Sequence, residues 1–99
     1  MKLITAFVRP FTLEKLIVAF ESIDNFPGVI ETNVESFGSR LQTPRFDSIN
    51  PFGPMKKIEI ACDDEMADEI IEAIRVYART GKKGDGIITV VATETAVYI

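Results

Sequence analysis

Histidine and tryptophan do not occur in this 99-residue sequence, and cysteine occurs once, as Cys62. Without histidine, imidazole acid–base chemistry and Ser-His-Asp triads are excluded. With one thiol and no imidazole, zinc or copper sites lack their usual ligands within one chain. A lone cysteine allows no internal disulfide, which fits a reducing cytoplasm. No apolar run approaches the roughly 18–20 residues of a membrane span, so no insertion into a bilayer is expected. Positive charge is also scarce: 11 Lys and Arg face 15 Asp and Glu, a net charge of −4. Nucleic-acid binding needs a basic stripe, and none is present. The chain opens directly on strand-like Lys2–Val8, where a secretory signal would show a basic region and an apolar core.

What remains is ordinary globular material. At 46% hydrophobic residues, the chain has room for one core, so 1–99 reads as a single domain. Leu3 to Val8 is almost continuously apolar, as in a centrally paired strand, and Arg9-Pro10 ends it. Thr12 reads as a helix N-cap, and Leu13, Leu16, Ile17, Phe20 and Ile23 repeat at helical spacing over 13–24. Asn25-Phe26-Pro27-Gly28 reads as a helix stop. Ile30, Thr32 and Val34 then alternate with Glu31, Asn33 and Glu35, the pattern of a half-buried strand. Lys57 to Cys62 alternates again. Asp63-Asp64-Glu65 opens a second helix, with Ala67, Ile70, Ile71, Ile74, Tyr77 and Ala78 on one face and a stop at Thr80-Gly81. Ile87 to Val91 is a β-branched strand, and Thr95 to Ile99 a candidate short fifth. The order is βαββαβ, so we expect a ferredoxin-like α+β fold with two helices on one face of an antiparallel four-stranded sheet.

Two segments exceed what a scaffold needs. Thr80-Gly81-Lys82-Lys83-Gly84-Asp85-Gly86 joins the second helix to the last long strand. Its glycines permit positive φ, successive amides can form an anion nest, and the two lysines add charge for phosphates. From the residues alone, an ordinary helix-to-strand turn capped by Gly81 is the simpler reading. It is no Walker loop, since it follows a helix instead of opening one. The other segment is the loop or arm over 39–55, with Pro44, Pro51 and Pro54 and no legible period. Arg40, Arg45, Phe46 and Phe52 within it suit docking on a partner or folding over an anion; incidental residues of a loop tip would look the same. The acidic residues Asp63, Asp64, Glu65, Asp68 and Glu69 read as helix-start charge before cation ligands, and Cys62 as a buried structural thiol.

Arg9-Pro10-Phe11, Phe37-Gly38, Lys57-Ile58-Glu59-Ile60 and Thr80–Gly86 occur in the order and spacing of PII nitrogen-regulatory signalling proteins, and the chain resembles that family over nearly its whole length. Asn25–Gly28 and Cys62-Asp63-Asp64 are similar to a divergent branch associated with heavy-metal efflux. The resemblance implies a cytoplasmic homotrimer without catalytic activity or required cofactor. ATP, ADP or AMP is held as effector at the subunit clefts, and the 39–55 arm regulates a partner transporter or enzyme. By position it implies nucleotide-pocket roles for Gly28, Phe37, Gly38, Glu59, Thr80, Gly81, Lys82, Lys83, Gly84, Asp85 and Gly86, with Arg40, Arg45, Phe46 and Phe52 in the partner-binding loop. The chain departs from the family in several places. Ser39-Arg40 replaces its Arg-Gln pair, Met55 a lysine that contacts 2-oxoglutarate, Ile87 a basic residue, and Tyr98 part of a C-terminal Arg-x-Arg. These departures keep open a non-sensing trimeric adaptor beside a metal or ion transporter.

Overall fold

The structure is a computed structural model that describes residues 1–38 and 51–99. The strands are β1 (Lys2–Val8), β2 (Ile30–Ser36), β3 (Gly53–Cys62) and β4 (Gly86–Ala92). The helices are α1 (Leu13–Glu21), entered through a 3-10 turn at Pro10–Thr12, and α2 (Asp64–Tyr77). The sheet order is β2-β3-β1-β4 with every neighbouring pair antiparallel. This is the expected ferredoxin-like α+β arrangement.

Strand pairing sorts the side chains. Ile4, Ala6 and Val8 stand opposite Ile60, Ile58 and Lys56 on one face, and this face meets the helices. One cluster joins Ile4, Ala6, Val8, Ile58, Ile60 and Cys62 to Leu16, Phe20 and Ile23 from α1 and Ala67, Ile70 and Ile74 from α2. The 3.6-residue period of the helices and the two-residue period of the strands converge there. Phe26 stacks on Phe20 with ring centroids 4.7 Å apart, which pins the turn after α1 to the core.

Several expectations need correction. Thr12 does not cap α1 with its side chain; it has helical φ and ψ, and its buried hydroxyl donates to the Arg9 carbonyl at 2.7 Å. Helix α1 stops at Glu21, short of residue 24, because the chain tightens into i→i+3 bonds at Ser22 and Ile23. Likewise α2 ends at Tyr77, before Thr80-Gly81, since the Thr80 and Gly81 amides are drawn to Asp85. Tyr77, expected on the apolar face, is exposed, whereas Ala78 is buried. The last residues of the 39–55 segment are strand: Gly53, Pro54 and Met55 pair with Ser36, Glu35 and Val34, and β3 tolerates Pro54. Thr95–Ile99 forms no strand, because a strand needs a partner and no turn signal in 93–96 folds these residues back on β4.

Strand β2 is the most instructive case. Its alternation is real, yet Ile30 is 68% exposed. Ile30, Thr32 and Val34 pair with Glu59, Lys57 and Met55, which puts them on the sheet face opposite the helices. Leu3 and Phe7 of β1 and Ile87 and Val91 of β4 share that face by register. The sheet is therefore apolar on both sides, and the chain's own helices cover only one.

Candidate functional site

The turn Thr80–Gly86 is closely hydrogen-bonded, and one carboxylate organises it. Asp85 Oδ2 accepts the Thr80 amide at 2.7 Å and the Gly81 amide at 3.1 Å. Its Oδ1 accepts the Thr80 hydroxyl and, at 2.9 Å, Nε of Arg9. Arg9 also donates through a second guanidinium nitrogen to the Lys83 carbonyl at 2.8 Å. The Thr80 hydroxyl in turn accepts the Lys82 amide at 3.3 Å. Gly81, Gly84 and Gly86 all have positive φ (84°, 88° and 141°), the conformations such a closed loop demands. Burial would raise the pKa of Asp85. Hydrogen bonds from Thr80 and Arg9, with the guanidinium charge, outweigh it and hold the carboxyl below its ordinary value.

Around this turn the structure places the other candidates unevenly. Lys82 and Lys83 are exposed, leaving their charge available to an anion. Gly86 lies against β1: an added Cβ would meet the Phe7 carbonyl oxygen at 1.8 Å. A groove of about 380 Å³ runs beside the turn, lined by Phe7, Ile74, Arg75, Arg79, Asp85 and Ile88 among others. Ile87, where the family carries a basic residue, is 48% exposed and apolar.

Glu59 sits on the helix-free face of β3, 3.8 Å from the Lys57 ammonium, opposite Ile30 and two residues along from Gly28. Gly28 has φ 123° and open space where a side chain would stand. The structure does not bring this group to the glycine turn. β2 and β4 are opposite edges of the sheet, separated by three strand spacings or about 14 Å. Phe37 and Gly38 follow the far end of β2, where the Phe37 ring meets that of Phe52 at 5.8 Å between centroids. Arg40, Arg45 and Phe46 lie outside the described residues. Met55, where a ligand-contacting lysine was sought, is 2% exposed within β3.

Local pattern marks Arg9 as the end of a strand and as part of the Arg9-Pro10-Phe11 segment, with no sign of a role at the turn. Its role at the turn depends on a contact across 76 positions, for which no local signal exists. Arg75 and Arg79 also line the groove, a placement that no local pattern in the sequence signals.

The family model for nitrogen regulatory protein P-II matches residues 1–99. The chain belongs to the P-II family. It is 36% identical over 104 residues to nitrogen regulatory protein GlnK of Escherichia coli strain K12, covering 100% of this chain and 91% of that one. It is 34% identical over 103 residues to nitrogen regulatory protein P-II of Rhodospirillum rubrum, and 33% to that of Rhizobium meliloti, with the same coverage. P-II proteins are regulatory signal transducers and not enzymes, so this chain carries a P-II-type signalling role. No described helix of this P-II chain is long and apolar enough to cross a membrane.

Proposed function

We propose that this P-II chain, acting as one domain, is a cytoplasmic sensor that binds an adenine nucleotide or small anion between the subunits of a homotrimer. Ligand state sets the conformation of the 39–55 arm, and the arm regulates a partner transporter or enzyme. The observation that carries the reading is the Thr80–Gly86 turn, with three positive-φ glycines, an internal carboxylate anchor and two outward lysines. A turn that only reversed the chain would not need its Asp85 carboxylate and Lys83 carbonyl tied to Arg9, 76 and 74 positions away.

Two further features support assembly. Leu3, Phe7, Ile30, Ile87 and Val91 leave one sheet face apolar and uncovered, and burying such side chains is worth about 1.5–3 kcal/mol each. Gly28 precedes β2, the edge strand opposite β4, and Glu59 lies on β3, two strand spacings from β4, so a site using both groups draws them from two copies. A ligand bridging copies stabilises the assembly by mass action.

The alternative, a non-sensing trimeric adaptor for metal or ion transport, is favoured by buried Met55 and apolar Ile87, which remove two positive charges from the family pattern. Isothermal titration with ATP, ADP and AMP, with and without magnesium and 2-oxoglutarate, separates the two when run beside a solution mass. We expect a trimer that binds at least one adenine nucleotide. A trimer that binds none of them overturns the nucleotide sensor and favours the adaptor.

A further inference from the structure

Asp85 and Arg9 suggest a division of labour within the turn. The Thr80 and Gly81 amides already donate to the Asp85 carboxylate, so an incoming anion cannot use them without breaking two hydrogen bonds. Among the described residues, the Lys83, Gly84 and Asp85 amides are not taken up in this way. A carboxylate inside an anion cradle would normally repel phosphate. Here the Arg9 guanidinium offsets that charge at 2.9 Å, with side-chain exposures of 10% for Arg9 and 21% for Asp85. The same guanidinium ties down the Lys83 carbonyl, so both halves of the turn hang from one side chain on the end of β1. The planar fork of arginine presents separate, pre-oriented donors to the two acceptors, whereas a lysine would have to reach both from a single nitrogen on a flexible stem.

We propose that Arg9 is the positioning residue of the glycine-rich turn: it locks Asp85 in place as an internal anion, so that residues 83–85 are held ready for the phosphate groups of the ligand. This rests on the nucleotide reading above and names the part of the ligand that Arg9 governs. Arg9 itself does not contact the ligand.

The test uses the intact protein with Arg9→Met and Arg9→Lys, and reads amide hydrogen exchange across 80–86 together with titration by ATP and by adenosine. Loss of a charge-assisted hydrogen bond should speed exchange at the Thr80 and Gly81 amides about tenfold or more in Arg9→Met. ATP affinity should fall by about the same factor while adenosine, which has no phosphate, is unaffected. Arg9→Lys keeps the charge but loses the rigid fork and its separate donors, and should fall between Arg9→Met and the parent. It also decides the matter if Arg9→Met does not fold. Parent-like exchange at residues 80 and 81 in either variant overturns the latch. Equal losses for ATP and adenosine overturn the phosphate-specific role and point to general loosening. If the parent protein binds neither ligand, the nucleotide reading fails, and the exchange rates alone decide whether Arg9 positions the turn.

Discussion

At the scale of single residues, the demands fall on backbone freedom and on one charge pair. Gly86 starts β4 with φ 141° directly over the Phe7 carbonyl, leaving no room for a Cβ. Gly86→Ala combines a collision with backbone and a disfavoured φ, so we expect a loss of at least about 3 kcal/mol or failure to fold, measured by urea unfolding. Gly28 is different: it has a similar φ but open space around it, so conformation alone accounts for glycine there. Cys62 is legible as a structural thiol. Burial first, then the charges of Asp63 and Asp64, push its pKa up, which suppresses the reactive thiolate.

At the scale of elements, amphipathic period decided which side chains matter. Helix α1 presents Leu16 and Phe20 to the core and leaves Val18 exposed. Phe20→Ala removes both its core contacts and its stack on Phe26, and should cost about 3–5 kcal/mol. Val18→Ala on the same helix should cost less than about 0.5 kcal/mol, and paired thermal or urea melts would show the contrast. The element assignments followed from the same periodicity because helices and strands differ in where every third or second residue points. Ends were less legible. Both helices stop a turn or less before the expected residue, and at α2 the cause is Asp85, whose carboxylate draws in the Thr80 and Gly81 amides. Of the candidate site, Thr80–Gly86 was visible as a glycine-rich turn with lysines, whereas its anchor on β1 was not.

At the scale of the whole molecule, the question is what covers the second face of the sheet. Alternation in β2 predicts a half-buried strand, but the helices pack on the other face of the sheet and leave Ile30 and Thr32 exposed. A copy of the same chain is the natural cover for such a face. Val91 lies on it and is exposed in the isolated chain, so a charge there barely disturbs the fold of one subunit. Val91→Asp should therefore reduce the solution mass below that of the parent while leaving the circular dichroism unchanged. An unaltered mass would show that assembly uses another surface.

The amino-acid sequence by itself determined the four strands, the two helices, their order and the character of the glycine-rich turn. All of these rest on local periodicity, turn chemistry and charge placement, which act over a few residues. Tertiary structure alone decided which face of β2 is left bare, why α2 stops where it does, and that Arg9 reaches Asp85 and the Lys83 carbonyl. Those outcomes depend on pairing β1 with β4 and β3, across separations where the chain carries no local pattern and only the closed sheet sets the distance.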